Sequence, residues 1–370
     1  MKILITCLSR SWGGMEMYTL LTAIQLRKQN YDVEILCYNQ SRFHKEAENE
    51  NFRIITSAFK NYFHPAEVIS FAKEIKKKSY DLIHSGGSQD LWLVVPALKI
   101  AGNKAPLILS KHVGSFIKKK DIFHKWIYNR VTFTLAISNV IKKNLIDTTP
   151  LPEEKILLLH NGINTKKFDP EKVDRSKVRN EFNILENELL IGMTARFSPG
   201  KGHEEFLYAA GNLLAKHNNL RFMIVGEPSK GEDLYAEKIK TLAKTLNVSN
   251  KTILTGFRKD TPEIYAAMDI FVFPSHAEAF GLALVEAMSM EKPSVCSNSD
   301  GVLDIAVDGI TSYLFEKQNW EDLTHKIEKL ILSPETRKSF GIAARKRAVE
   351  MFDLEIFTDK LIKIYERVMS

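Results

Sequence analysis

The chain has 370 residues, 44% of them apolar and 26% charged, which is the composition of a globular protein. This length is too great for a single hydrophobic core and therefore predicts two domains. No stretch approaches the roughly 18 consecutive apolar residues of a membrane-spanning helix, so we expect any membrane contact to be peripheral. The three cysteines lie far apart, which argues against a disulfide framework or a zinc site and favours a cytoplasmic setting.

The net charge of +7 is unevenly distributed along the chain. Residues 1–165 hold 23 Lys and Arg against 14 Asp and Glu, whereas the remainder holds 29 against 31. All of the surplus positive charge therefore lies in the first half, which predicts that this half faces an anionic partner.

Short apolar runs alternate with amphipathic segments in the first half. The opening run KILITCL meets Arg10 too soon for a signal peptide and predicts a buried strand. A helix is predicted over about 15–28 and another near 66–78. The intervening and following runs are DVEILCY, FRIITSA, DLIHSGG, LWLVVPALKIAG, PLILSKH and FTLAIS. This alternation predicts βαβ units around a parallel sheet.

The pattern restarts after a polar connection near 164–187. LLIGMTAR, a helix over about 203–216, RFMIVGE, a further helix, TILTGF, DIFVFPS and PSVCS form a second set. We therefore expect an α/β fold of two Rossmann-like, doubly wound parallel-sheet domains facing a cleft. The predicted domains are 1–165 and 166–353, with a last helix over about 354–370 packing back on the first. Ligands of such sheets bind outside the carboxyl ends of the strands.

The segment Thr194–Gly202 (TARFSPGKG) lies between a predicted strand and a predicted helix. Arg196 and Lys201 flank its Ser-Pro-Gly turn. Backbone amides, a helix dipole and two cations make a site for a diphosphate. A solvated loop with ordinary cations is the alternative for this segment by itself. The spacing of a Walker loop is missing.

A second segment, 274–288 (PSHAEAFGLALVEAM), follows the apolar run DIFVFP, and a helix is predicted to begin near Gly281. Glu286, in the second turn, can accept hydrogen bonds from two ribose hydroxyls, and Glu278 is free to bind hydroxyls of a transferred sugar. A capping glutamate and a surface glutamate are the alternative. Amides at the helix start suit phosphate or sugar oxygens; they belong to Phe280, Gly281 and Leu282.

Together these motifs resemble the family-4 retaining glycosyltransferases of GT-B architecture, which depend on nucleotide-sugars and act in bacterial lipopolysaccharide or polysaccharide synthesis. ARFSPGKG matches the basic phosphate loop of that family, and Glu278 and Glu286 match its paired-glutamate motif. LLLHNGIN, FMIVGE, LTGF, YAAMDIFVFPS and EAFGLALVEAM follow in the family order, so the resemblance covers nearly the whole chain. The sequence departs from the family at 299–304, where Ser-Asp-Gly and Asp304 replace the usual Gly-Gly and Glu.

The resemblance implies roles for individual residues. Arg196 and Lys201 would hold the donor diphosphate, while Glu286 would bind the ribose and Glu278 the donor sugar. The backbone at Phe280, Gly281 and Leu282 would contact sugar and phosphate, and Arg258 would lie near the base. The set implied at the reacting centre is His112, Arg196, Lys201 and Glu278.

The first half contributes two further candidates. Gly13 and Gly14 follow the first strand; the resemblance places them beside the donor phosphate, and a tight turn capping the first helix is the alternative. No GxGxxG is present, which disfavours nicotinamide binding. His112 follows a predicted strand, and the resemblance places it near the reacting centre, although a lone histidine there is more often structural.

No HExxH or Asp-x-Asp motif appears, so we expect an enzyme without metal or cofactor. Arg196, Lys201 and helix dipoles would then stabilise the leaving diphosphate.

Residues 115–130 (SFIKKKDIFHKWIYNR) are basic and aromatic. If the segment is helical, one face carries Ile122, Phe123, Trp126 and Ile127. This face either packs on its own domain or lies on an anionic membrane. In the second case each Lys or Arg near the surface contributes about 1 kcal/mol to membrane binding. The residues expected to face the membrane or the acceptor are Lys118, Lys119, Lys120, Phe123, Lys125 and Trp126. No nucleic-acid recognition motif is present.

We therefore expect a metal-independent glycosyltransferase that moves a sugar from a nucleotide-diphosphate donor, a UDP-sugar, to a hydroxyl of a growing glycan or a glycolipid such as lipopolysaccharide. The resemblance implies that the anomeric configuration is retained. The expected place of the enzyme is the cytoplasm, peripheral on the anionic inner-membrane surface. Two alternatives stay open: a sugar-nucleotide epimerase or hydrolase on the same fold, and a non-catalytic nucleotide-sugar-binding partner protein.

Overall fold

The computed structural model describes residues 1–59, 64–229 and 231–369. They form two compact units, which we call the N-terminal unit (Met1–His160 with Phe357–Ser370) and the C-terminal unit (Asn161–Ile356). In the described residues, no helix is long and apolar enough to cross a membrane.

The N-terminal unit is built on a seven-stranded parallel sheet with the order β3-β2-β1-β4-β5-β6-β7. Its strands are β1 (Lys2–Cys7), β2 (Asp32–Tyr38), β3 (Arg53–Ser57), β4 (Leu82–Ser85), β5 (Leu107–Lys111), β6 (Phe133–Ala136) and β7 (Ile156–Leu158). The helices are α1 (Gly14–Lys28), α2 (Arg42–Asn49), α3 (Pro65–Lys78), α4 (Leu91–Ala101), α5 (Ile122–Asn129) and α6 (Asn139–Thr148). Consecutive β1 residues are buried, as strands covered on both faces require.

The C-terminal unit holds a six-stranded parallel sheet with the order β10-β9-β8-β11-β12-β13. Its strands are β8 (Leu189–Thr194), β9 (Leu220–Val225), β10 (Thr252–Leu254), β11 (Ile270–Phe273), β12 (Ser294–Ser297) and β13 (Ser312–Phe315). The helices are α7 (Ser176–Glu181), α8 (His203–Leu214), α9 (Asp233–Thr245), α10 (Thr261–Ala267), α11 (Leu282–Ser289), α12 (Val302–Ile305), α13 (Trp320–Leu332), α14 (Pro334–Phe352) and α15 (Leu354–Met369), the last of which continues into the N-terminal unit.

The end of α15 is anchored in the N-terminal unit by aromatic contacts. The ring of Phe357 meets that of Tyr18 edge-to-face, with the centroids 5.2 Å apart. The hydroxyl of Tyr365 shares a hydrogen bond with Nδ1 of His84 at the centre of β4. Because Tyr365 is fully buried, this helix is part of the core of that unit.

Both sheets have a topological switch point, where the strand order reverses. It lies between β1 and β4 in the N-terminal unit and between β8 and β11 in the C-terminal unit. The predicted α/β fold is confirmed, and the loops at these points are where ligands of such sheets bind.

Candidate active site

The loop between β8 and α8 is shaped by two glycines in the left-handed region. Gly200 has a φ of +82° and Gly202 a φ of +78°, and a Cβ on Gly202 would lie 2.3 Å from the carbonyl oxygen of Pro274. The loop therefore lies tightly against the residues that follow β11. This contact brings together the basic loop (194–202) and the glutamate loop (274–288).

The centre of this arrangement is an ion pair between the two loops. Nζ of Lys201 donates to Oε1 of Glu278 at 2.5 Å, and the two side chains are only 23% and 18% exposed. Arg196 remains exposed on the same loop, where its guanidinium donates to the hydroxyl of Ser229 at 2.8 Å. The site thus holds one neutralised and one available cation.

Glu286 lies half-buried on α11, beside the end of β8. It accepts a hydrogen bond of 3.0 Å from the hydroxyl of Tyr265, which is also 2.9 Å from the hydroxyl of Thr194. Burial raises the pKa of Glu286 to about 7, against the opposing effects of this hydrogen bond and of the Lys167 charge. Near neutral pH the carboxyl group is therefore poised between its two protonation states.

The N-terminus of α11 supplies backbone donors near this carboxyl group. Gly281, with a φ of +119°, precedes the first helical residue, Leu282, and the first amides of a helix have no partner within it. Phe280 is buried with its ring 5.7 Å from that of Phe352. The buried aromatic side chain thus fixes the turn that precedes α11.

The departure of the sequence at 299–301 has a structural explanation. The amide of Gly301 donates to the carbonyl oxygen of Glu278 at 3.0 Å, and a Cβ on Gly301 would lie 2.6 Å from the oxygen of Ala279. Gly301 by itself therefore allows the close contact with the glutamate loop. Asp300, which precedes it, adopts a left-handed φ of +49°.

Sequence reasoning missed a second contact that fixes the same loops. His276 donates its amide to the oxygen of Gly200 at 2.8 Å, and its ring lies 2.7 Å from Oε1 of Glu205 and 3.0 Å from the amide nitrogen of Gln318. No sequence signal links these residues, because three separate segments carry them.

In the N-terminal unit, His112 follows β5 at the edge of an open pocket of about 150 Å³. Its ring is buried 5.8 Å from that of Tyr18. Burial, and then the charge of Lys111, lowers the pKa of His112 to about 4. The imidazole is therefore neutral at pH 7 and can donate and accept one hydrogen bond.

The chain resembles known proteins over most of its length. Residues 12–167 match the family model described as Glycosyltransferase Family 4, and residues 174–347 match the model described as Glycosyl transferases group 1. This chain is a glycosyltransferase of GT-B architecture.

Three similar proteins illustrate the relationship. The capsular polysaccharide biosynthesis glycosyltransferase CapM of Staphylococcus aureus is 29% identical over 244 residues, which is 65% of this chain and 62% of CapM. The UDP-Gal:alpha-D-GlcNAc-diphosphoundecaprenol alpha-1,3-galactosyltransferase of Escherichia coli is 25% identical over 80% of this chain and 78% of its own length. A solved glycosyltransferase from Rickettsia africae ESF-5 superposes with a TM-score of 0.90 and 26% identity, covering 100% and 98% of the two chains.

Arg258 of the glycosyltransferase is occupied by neighbouring carboxylates. Its guanidinium donates twice to Glu181, at 2.5 and 2.8 Å, and twice to Asp260, at 2.9 and 2.7 Å. These hydrogen bonds raise its pKa above the ordinary value. A role near the donor base would require Arg258 to leave or share these partners.

The two glycines after β1 have different surroundings. Gly13 precedes α1 and donates its amide to Oε2 of Glu16 at 2.9 Å, so it takes part in capping that helix. Gly14 is exposed, and a Cβ there would meet nothing within 4 Å.

The basic, aromatic segment is helical only over α5, and its predicted apolar stripe is divided. Ile127 is 1% exposed and packs inward, whereas Ile122, Phe123 and Trp126 are 76%, 67% and 41% exposed. Phe116 and Ile117 are exposed in the preceding loop. Ile127 therefore packs on its own domain, whereas the other three side chains of this face lie at the surface.

The arrangement of potential metal ligands bears on whether the glycosyltransferase could hold a metal ion. Within the ranges that the structure describes, no group of three or more His, Cys, Asp or Glu side chains could hold a metal ion.

Proposed function

We propose that the glycosyltransferase moves a sugar from a UDP-sugar to a hydroxyl of a growing glycan or lipid-linked glycan, retaining the anomeric configuration and using no metal. The Lys201–Glu278 ion pair carries this proposal, because it sets a diphosphate-binding cation against a hydroxyl-binding carboxylate. The E. coli relative, whose name gives a UDP-Gal donor and a lipid diphosphate acceptor, supports the donor and acceptor classes.

In this proposal the donor diphosphate is held by Arg196 and Lys201. Arg196 is exposed and makes no ion pair with a carboxylate in the described residues, whereas Lys201 must exchange Glu278 for the diphosphate. That exchange frees Glu278 to accept hydrogen bonds from the sugar hydroxyls. Binding of the donor diphosphate would therefore make Glu278 available to the donor sugar.

Glu286 would accept hydrogen bonds from the two ribose hydroxyls. Tyr265 holds one carboxyl oxygen at 3.0 Å, which orients the group and leaves the other oxygen for the ligand. The backbone of Phe280, Gly281 and Leu282 would contact sugar and phosphate at the α11 N-terminus. Arg258 would lie near the base, and Gly13 and Gly14 beside the phosphate.

The chemical step we propose is front-face displacement. The bond from the anomeric carbon to the diphosphate oxygen breaks, the acceptor oxygen bonds to the same face, and its proton passes to the departing phosphate. Arg196, Lys201 and the α11 N-terminus would stabilise the charge that develops on that phosphate. His112, neutral at pH 7, would hydrogen-bond a hydroxyl near the reacting carbon.

Product NMR tests the mechanism, since an inverted linkage would overturn retention. Turnover of UDP-sugars by the purified enzyme without any acceptor would favour an epimerase or hydrolase instead. Failure to bind any nucleoside diphosphate in calorimetry would favour the non-catalytic partner protein. Equal activity before and after treatment with a metal chelator is the expected result for a metal-independent enzyme.

We also propose peripheral binding to the cytoplasmic face of an anionic membrane. The surface around α5 exposes Phe123 and Trp126. The lysines that would face the membrane or the acceptor are Lys118, Lys119, Lys120 and Lys125, of which all but Lys119 are exposed. Three exposed lysines at about 1 kcal/mol each correspond to roughly a 150-fold preference for anionic vesicles.

Liposome sedimentation checks this surface. The enzyme should pellet with phosphatidylglycerol-containing vesicles and remain in solution with phosphatidylcholine alone. Phe123→Ser should weaken binding, whereas Leu185→Ser, which removes a comparably exposed apolar side chain (62%) from the C-terminal unit, should not. Equal partitioning between the two kinds of vesicle would contradict the proposal.

A further inference from the structure

Lys111 is a buried cation that forms no ion pair with a carboxylate among the described residues. It ends β5, is 9% exposed and lines the pocket at the switch point of the N-terminal unit. Within the described residues its ammonium group makes one hydrogen bond, of 3.3 Å to the hydroxyl of Ser88, and no ion pair with a carboxylate. Burying an ammonium group costs several kcal/mol unless a charge compensates it.

A second lysine adds to this positive charge. Lys119 is half-buried, its backbone amide bonds to Thr148 at 2.6 Å, and its charge acts on Lys111. Burial and the charge of Lys119 lower the pKa of Lys111 to about 8, and burial lowers that of Lys119. Lys111 is nevertheless roughly nine-tenths protonated at pH 7 with that pKa.

The one buried carboxylate lining the pocket is already committed. Asp90 accepts hydrogen bonds from the hydroxyl of Thr6 at 2.7 Å, the amide of Leu8 at 3.1 Å and the hydroxyl of Ser85 at 3.4 Å. These donors belong to β1, β4 and the residue that follows β1. Asp90 thus serves the strand ends and does not compensate Lys111.

We propose that Lys111, assisted by Lys119, binds a phosphate group of the acceptor in the pocket of the N-terminal unit. This inference rests on the proposed function and names the acceptor class: a phosphorylated or diphosphate-linked glycan. A tetrahedral oxyanion suits a pocket lined by the Lys111 ammonium group, the Ser88 hydroxyl and the backbone amide of Gly87.

Calorimetric titration with inorganic phosphate tests the site, using the full-length Arg196→Ala enzyme to weaken the donor loop. Lys111→Gln in that background should weaken phosphate binding at least tenfold, and Lys119→Gln by a few-fold. The matched control is Lys104→Gln, which removes an exposed charge of the same unit and should change the Kd by less than twofold. Phosphate binding that is absent from the parent, or unaffected by Lys111→Gln, overturns the proposal.

A stability measurement keeps the test independent of loss of folding. Because glutamine removes an uncompensated buried charge, Lys111→Gln should raise the Tm in phosphate-free buffer and reduce the gain in Tm on adding phosphate. A lower Tm in phosphate-free buffer would show that the free protein already compensates the charge, and would contradict the inference.

Two sources can supply the phosphate group, a prenyl-linked diphosphate or a soluble phosphosugar. Farnesyl diphosphate and inorganic pyrophosphate distinguish them in the same titration: tighter farnesyl diphosphate binding assigns the lipid, and equal binding assigns the soluble sugar. Insensitivity of both to Lys111→Gln overturns the site. The single variant Lys111→Gln should bind UDP as tightly as the wild type does. A wild-type enzyme that does not bind UDP would contradict the proposed donor, and this result is independent of the phosphate site.

Discussion

Replacing Glu278 with glutamine separates the two roles that we propose for the Lys201–Glu278 pair. In the free enzyme this carboxylate neutralises Lys201 at 2.5 Å. Glutamine keeps the size of the side chain and removes its charge. Lys201 then becomes available to a diphosphate before any competing interaction is broken.

The expected effects on binding and on turnover have opposite signs. An ion pair whose side chains are about one-fifth exposed is worth roughly 1 kcal/mol after solvent screening, so UDP should bind about five times more tightly to Glu278→Gln. Loss of charged hydrogen bonds to the sugar hydroxyls costs about 1.5–3 kcal/mol, so kcat/KM should fall by roughly 10- to 150-fold.

Calorimetry with UDP and a UDP-release assay with acceptor measure the two quantities. Glu186→Gln is the control, because it removes an exposed carboxylate of the same unit and should leave both unchanged. Lys201→Gln should weaken UDP binding. A Glu278→Gln enzyme that binds UDP no more tightly than the wild type would refute the exchange of partners on which the reasoning depends.

Three further predictions concern the same unit. Affinity for UDP-glucose should fall by up to about tenfold per pH unit as the pH drops through about 7. The reason is that protonated Glu286 can no longer accept hydrogen bonds from both ribose hydroxyls. Calorimetry between pH 5.5 and 8 should show this pH dependence in the wild type and a flat profile in Glu286→Gln. Tyr265→Phe removes a hydrogen bond that lowers the pKa of Glu286, so the midpoint should move above that of the wild type, and an unmoved midpoint would count against the assignment. Gly202→Ala should lower the Tm and the UDP affinity, because its Cβ would lie 2.3 Å from the carbonyl oxygen of Pro274. Gly200→Ala is the control, since its φ is similar and the nearest neighbour of its Cβ is 3.9 Å away; in thermal melts it should cost only about 1–2 kcal/mol of backbone strain. Equal losses in the two variants would exclude the clash as the cause.

Local sequence was sufficient for the alternation of strands and helices and for the two loops of the proposed donor site. Alternating apolar runs predict parallel strands because strands buried on both faces must be apolar along their length. The turn before α8 and the helix start at α11 were likewise predictable, since glycine, proline and basic residues at fixed spacing constrain the backbone locally. The restart of the pattern near Leu189 indicated a second sheet.

The pairing of side chains was decided only by the tertiary structure. Lys201 and Glu278 are separated by 77 positions and meet because β8 and β11 are neighbours at the switch point. The same strand order places Tyr265 against Glu286.

The apolar stripe of α5 and the environment of Lys111 were also decided by tertiary packing. Sequence periodicity gave Ile127 and Trp126 the same face, but only the position of α5 on its sheet buries the first and exposes the second. The sequence SKH does not show that Lys111 is enclosed, nor that it pairs with no carboxylate in the part of the chain that the structure describes. Local sequence determines backbone conformation through sterics and periodicity, whereas burial and partner choice depend on which distant strands become neighbours.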